Sequence, residues 1–309
     1  MDALQVAPSR LLFARGTWSW GQRSYVMAIL NATPDSFSGD GLLAAGGIAG
    51  ALAAAQKALD GGADILDLGG ESTRPGAAPV DAATEMARVI PVLRELRRAH
   101  PACPISVDTS KAAVAEAALA EGADWINDVW GLRADPRLAA VVAAAGVSVV
   151  LMHNRATPSN LALRERLGGF YRDVAYDDLL VELRRELLVS VAIAHDAGIA
   201  DDRIILDPGL GFGKTPSQNL ELLDRLDELR DLGFPLLVGS SRKSFIGLTL
   251  NLPPEDRLEG TAATVAVAIA RGADVLRVHD VRAMVRVARM TDAIVRRPEV
   301  TPAPNPPSR

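Results

Sequence analysis

Polar side chains stand directly beyond short apolar runs throughout this chain: Asn31 after VMAIL, Thr73 and Arg74 after DILDLGGES, Asp108 after ISV, Asn127 after WI and His153 after VVLM. Asp207 follows IIL, Lys243 follows LLVGSSR, and Arg277 and His279 close the run VLRVH. Their chemistry divides in two. Asp108, Asn127 and Asp207 supply carboxylates and an amide. Such groups suit a flat heteroaromatic ring carrying N–H donors, because one carboxylate accepts two parallel hydrogen bonds. Arg74, Arg277 and His279 have the opposite polarity and suit a phosphate-bearing group, on which Asn31 suits a hydrated magnesium ion. Each residue alone has a blander reading. Asp108 before Thr109 and Ser110 is also an N-cap signal, Asp207-Pro208-Gly209 is also a turn, Lys243 or Arg74 is also solvated charge, and His279 is also a structural histidine. Their shared position at the ends of apolar runs favours one site over many coincidences.

The elements that position these groups follow from the stretch Asp64 to Gly76, DILDLGGESTRPG. Ile65, Leu66 and Leu68 form a run too short for a helix, entered through a Gly-Ala-Asp turn, and read as a buried parallel strand that empties into a polar loop. Gly62-Ala63-Asp64, Gly122-Ala123-Asp124 and Gly272-Ala273-Asp274 repeat the entry, and Gly146, Gly198 and Gly233 do the same with other neighbours. Glycine after an Ala-rich helix marks its C-terminal end. The runs predict strands at Val26–Leu30, Asp64–Leu68, Ile105–Val107, Trp125–Ile126, Val147–Leu151, Ile204–Leu206, Leu236–Val238 and Val275–Val278. Between and after them, helices are predicted at Leu42–Asp60, Asp81–Ala99, Ser110–Glu121, Pro136–Ala145, Tyr171–Ala197, Ser217–Leu232, Arg257–Arg271 and Val281–Arg296. Repeated βα units in one domain predict an α/β protein with a (β/α)8 TIM barrel over 26–297, a doubly wound open sheet being the lesser alternative. Residues 1–25 form an N-terminal extension whose hairpin plugs one end of the barrel, and the Pro-rich 298–309 is a disordered tail.

Composition narrows the partners. With 309 residues, 49% of them hydrophobic, the chain can bury a large core, while a net charge of -5 argues against nucleic acid or an anionic membrane surface. The single Cys103 fits a reducing compartment. No apolar run approaches the roughly 20 residues of a membrane span, and Leu11-Leu12-Phe13 is too short for a signal-peptide core, so the expected location is the cytoplasm. Four His and one Cys leave little material for zinc, although carboxylates can still hold magnesium. Gly213-Lys214-Thr215 resembles the end of a P-loop, but Pro208 stands where the first glycine is needed.

Longer stretches carry a resemblance to a known family. ILNATPDSFSGDG (29–41), GADILDLGGESTRPGA (62–77), ISVDTSK (105–111), INDV (126–129), DPGLGFGKT (207–215), LLVGSSRKSFIG (236–247), EGTAATVA (259–266) and GADVLRVHDV (272–281) resemble the dihydropteroate synthases. That family joins 6-hydroxymethyl-7,8-dihydropterin pyrophosphate to p-aminobenzoate with release of pyrophosphate. The resemblance implies a pterin pocket of Asp108, Asn127, Met152, Asp207 and Lys243, with the Arg277 guanidinium packed against the ring. It implies a pyrophosphate and magnesium side of Asn31, Arg74, Arg277 and His279, and a p-aminobenzoate side of Phe37, Thr73, Pro75, Phe212 and Ser241. Asp35, on the first loop, corresponds to an acid that closes over the reaction centre; Asp35, Arg74, Lys243, Arg277 and His279 form the implied catalytic set. A homodimer is implied as well. His153-Asn154-Arg155-Ala156-Thr157-Pro158 departs from the family's commoner Met-His-Met-x-Gly-x-Pro form, and Gly39-Asp40-Gly41 varies the end of the first loop. The alternatives are a pterin-binding methyltransferase domain, which needs no anion clamp, and a paralogue that binds pterin without turnover.

Overall fold

The computed structural model describes residues 10–13, 16–33, 46–73 and 77–297. Asp35, Phe37, Arg74 and Pro75 of the expected site, and the expected tail, lie outside them. A two-stranded antiparallel hairpin, β1 (Arg10–Phe13) and β2 (Gly16–Ser19), precedes the main sheet. The chain then alternates β3 (Tyr25–Asn31), α1 (Gly47–Asp60), β4 (Ile65–Gly69), α2 (Ala82–Ala99), β5 (Ile105–Asp108), α3 (Ala112–Ala120), β6 (Trp125–Asp128), α4 (Leu138–Ala145) and β7 (Ser148–Met152). After a small hairpin of β8 (Leu161–Arg164) and β9 (Gly168–Tyr171) come α5 (Leu179–Asp196), β10 (Ile204–Asp207), α6 (Pro216–Asp224), β11 (Leu237–Val238), α7 (Ser244–Leu250), α8 (Leu258–Ala270), β12 (Val275–Val278) and α9 (Val281–Val295).

Eight parallel strands lie in the order β10-β7-β6-β5-β4-β3-β12-β11, and a parallel bridge from Leu206 to Leu236 joins the two edges, so the sheet closes into the expected barrel. All eight strand segments coincide with apolar runs predicted above. Gly62, Gly122, Gly146, Gly198, Gly233 and Gly272 adopt φ between 64° and 99°, the left-handed geometry that ends a helix without a Cβ penalty. Asp81 caps α2 by accepting from Thr84 N at 2.7 Å, and Thr215 caps α6 in a reciprocal box with Gln218.

Strand periodicity sorts the side chains. Leu66, Leu68, Ile105, Val107, Ile126, Leu151 and Leu206 pack outward under the helices. Met27, Ile65, Trp125, Val150, Ile205, Leu237 and Val275 meet inside the barrel with Trp18 of the hairpin. Trp18 stacks on Tyr25 at 4.1 Å between ring centroids and meets Trp125 edge-on at 5.2 Å, so the strand β2 closes the N-terminal end and leaves chemistry to the other. Two helical predictions are corrected. Tyr171 ends a strand, and α5 begins only after Asp178, whose carboxylate caps Leu180 and Val181. The stretch predicted as Ser217–Leu232 divides into α6 and a tight 3-10 turn over Leu226–Leu232.

Candidate active site

Asn31, Asp108, Met152 and Asp207 are the last residues of β3, β5, β7 and β10, and Asn127 is the penultimate residue of β6. Arg277 is the penultimate residue of β12 and His279 directly follows the strand, so the parallel register brings all of them to one mouth. Thr73 lies half-buried on the loop leaving β4.

Arg277 organises the centre of this mouth. Its Nε donates to Asp67 Oδ2 at 2.6 Å and its Nη2 to Asp108 Oδ2 at 2.8 Å, while Asn127 Nδ2 donates to the same Asp67 oxygen at 3.3 Å. Burial raises the Asp108 pKa, Arg277 opposes that rise, and the nearby Asp67 charge adds to it. Asp207 stands opposite, 6% exposed, with Oδ1 accepting from Gly209 N at 2.7 Å. Its pKa is raised by burial against the opposing charges of Lys243, Lys214 and Arg277. Lys243 donates to the Leu210 carbonyl, and its ammonium sits 4.6 Å from the centre of the Phe212 ring. Desolvation pulls the Lys243 pKa down to about 8. At the rim, Ser241 Oγ lies 3.0 Å from His279 Nδ1 and accepts from His279 N at 3.2 Å. Among the expected residues, Asp108 and Arg277, Ser241 and His279, and Lys243 and Phe212 are thus in direct contact.

Three supporting features were not among the expected site residues. Asp67 lies fully buried in the middle of β4. An acid on the inward face of ILDLG was the available signal. Lys214, set aside as a failed P-loop lysine, is buried: its Nζ donates to His153 Nδ1 at 2.9 Å, Gly209 O at 3.0 Å and Phe212 O at 3.2 Å. His153 in turn reaches Glu186 through Nε2 at 3.0 Å, and Arg155 grips the same carboxylate. These partners assign His153 as the neutral Nε2–H tautomer, and burial lowers its pKa to about 3. It stands behind the 208–214 loop instead of facing the mouth. Gly209 and Gly213 let that loop sit on the chain at 153–156, since a Cβ at either would strike backbone atoms of His153 or Arg155. The third feature is Glu71. It accepts from Val80 N at 2.9 Å and from Lys111 Nζ at 2.5 Å, which ties together the two ends of the 72–79 loop.

The mouth thus gathers the carboxylates of Asp67, Asp108 and Asp207, the Asn127 amide and the cations Arg277 and Lys243 beside the Ser241–His279 pair. The whole arrangement has relatives. Residues 27–279 match the family model described as pterin binding enzyme. A dihydropteroate synthase from Clostridium beijerinckii is 46% identical over 278 residues, covering 90% of this chain and 96% of its own. The solved dihydropteroate synthase of Clostridium difficile, in the presence of pteroic acid, superposes with a TM-score of 0.80 at 46% identity, covering 90% of this chain and 99% of that one. The Xanthomonas albilineans dihydropteroate synthase with 4-aminobenzoic acid gives 0.81 at 42% identity, with 93% and 98% covered. The chain belongs to the pterin binding enzyme family and, within it, to the dihydropteroate synthases, transferases of folate biosynthesis.

Proposed function

We propose that the mouth performs the synthase reaction with the residues assigned from the family resemblance. Asp108, Asn127, Asp207 and Lys243 bind the pterin edge over Met152, and Arg277 packs against the ring while reaching the leaving group. Arg74, Arg277 and His279 neutralise charge on pyrophosphate as the carbon–oxygen bond lengthens, and the electron-rich pterin delocalises the cation left behind. The amine of p-aminobenzoate, received by Phe37, Thr73, Pro75, Phe212 and Ser241, then captures that carbon. Closure of the loops bearing Asp35 and Arg74 excludes water, which would otherwise take the amine's place. The observation that carries this reading is the Arg277 guanidinium bridging carboxylates of two strands beside the Ser241–His279 rim: an acceptor-rich ring floor and an anion clamp share one residue.

Asn31 offers a hard amide oxygen suited to magnesium, and among the described residues no cluster of three His, Cys, Asp or Glu side chains could hold a metal alone. This donor set fits an ion carried chiefly by pyrophosphate and water; when bound, it supplies further neutralisation of the leaving group. Dihydropterin pyrophosphate and p-aminobenzoate are the proposed substrates, in keeping with the pteroic acid and 4-aminobenzoic acid of the solved relatives. A cytoplasmic homodimer completes the proposal. Exposed Met290 and Ile294 on α9 provide apolar surface for it, and no helix among the described residues is long and apolar enough to cross a membrane.

The test separates clamp from pocket. Arg74→Ala and His279→Ala should each lower pyrophosphate release by roughly 100-fold while leaving affinity for a pterin lacking pyrophosphate nearly intact. Parental release rates in both variants would remove the clamp from Arg74 and His279.

A further inference from the structure

Asp67 has no assigned part in the reaction, yet its surroundings give it one. Its neighbours Leu66 and Leu68 pack outward, and Ile65 packs inward with Met27 and Trp125. The twofold strand period therefore turns Asp67 into the barrel, above that apolar layer and level with Ile29 and Ser106. The side chain is fully buried. Oδ2 receives both Arg277 Nε and Asn127 Nδ2, and Oδ1 is buried with no hydrogen-bond partner among the described residues. An ionised carboxylate in such a place is costly unless its partners repay desolvation, and a partly satisfied one is a feature of working sites more than of inert cores.

Its effect on Arg277 is geometric. A guanidinium is planar, so bonds from Nε to β4 and from Nη2 to β5 fix both its plane and its reach. The remaining N–H groups are then free of the floor. Without Asp67, Arg277 would have Asp108 as its one short carboxylate partner in this cluster and would draw on the acceptor proposed for the pterin ring. Asn127 would lose its anchor at the same time.

We propose that Asp67 is a positioning residue for the transfer: it holds Arg277 from below so that one guanidinium serves both the ring and the leaving pyrophosphate. The inference rests on the synthase reading given above. Because Asp67 acts through Arg277, its removal should matter little once Arg277 is gone.

The experiment is a double-mutant cycle of Asp67→Asn and Arg277→Ala, read by steady-state kinetics and by binding of a pterin lacking pyrophosphate, with thermal unfolding as the folding control. Asp67→Asn should lower kcat roughly 10- to 100-fold and change KM for p-aminobenzoate by less than about threefold, a split that general loosening of the barrel would not give. In the Arg277→Ala background the same change should cost less than about threefold. Asp67→Glu, which keeps the charge, should recover part of the turnover lost in Asp67→Asn. It also carries the cycle if Asp67→Asn does not fold. Multiplicative losses, or an Asp67→Asn enzyme with parental kcat, overturn the inference while a parent that makes dihydropteroate leaves the synthase reading standing. A parent that makes none overturns that reading itself.

Discussion

Asp207 tests the pterin floor because its two oxygens have separable duties. Oδ1 holds the loop through Gly209 N at 2.7 Å, whereas the charge of the carboxylate faces Lys243, Lys214 and Arg277. Asp207→Asn keeps an oxygen for Gly209 and removes the charge, presenting an amide donor where ring N–H groups require an acceptor. A charged hydrogen bond contributes about 1.5–3 kcal/mol, and opposed donors leave both sides unsatisfied, so the expected loss is about 2–4 kcal/mol. At about 1.4 kcal/mol per tenfold this is roughly a 30- to 700-fold weaker complex. Asp207→Ala also releases Gly209 and should lose about 1 kcal/mol more. Titration calorimetry with 6-hydroxymethylpterin measures both, and urea unfolding reports whether the barrel is intact. An Asp207→Asn variant that folds normally and binds within about threefold of the parent would refute the assignment of this carboxylate to the ring.

The loop behind that carboxylate gives further expectations. Gly209→Ala forces φ of +69° on alanine and drives its Cβ into the His153 carbonyl, so stability should fall by about 1–3 kcal/mol in urea unfolding and turnover should fall with it. Burial lowers the Lys214 pKa from 10.5 to about 7, whereas the unfolded chain keeps that proton until about pH 10, so folding stability attributable to Lys214 rises between these values. Lys214→Met should therefore flatten the rise in urea stability between about pH 7 and 10, leaving the smaller share that Lys243, lowered to about 8, contributes. Finally, p-aminobenzoate should bind measurably only with pyrophosphate and magnesium, or the pterin substrate, present; calorimetric binding to the protein alone would contradict ordered assembly of the amine side.

The barrel was legible because its signals were local and repeated. Each glycine-terminated helix handed over to an apolar run, and several runs led straight into a polar residue, as at Asn31, Asp108, Asn127 and Asp207. What was not legible depended on tertiary context. The β8–β9 hairpin reads LALRERLGGFY, whose alternation is weak, and Tyr171 seemed continuous with the helix that Asp178 actually starts. Lys214 looked like a remnant of a phosphate loop because its real partners are carbonyls of its own loop and His153, 61 residues away. Asp67 sits among apolar neighbours in ILDLG, whose twofold period places it on the inward face opposite Leu66 and Leu68, but its partners Arg277 and Asn127 lie 210 and 60 residues away. The strand ends marked the groups at the mouth, whereas the buried side chains that hold them required the closed barrel to become visible.

The most direct measurement is product formation by the purified protein given 6-hydroxymethyl-7,8-dihydropterin pyrophosphate, p-aminobenzoate and magnesium, with dihydropteroate and pyrophosphate quantified together. The two should appear in equal amounts, and omission of p-aminobenzoate should abolish dihydropteroate. Protein that binds the pterin pyrophosphate yet yields no dihydropteroate under these conditions would contradict the account.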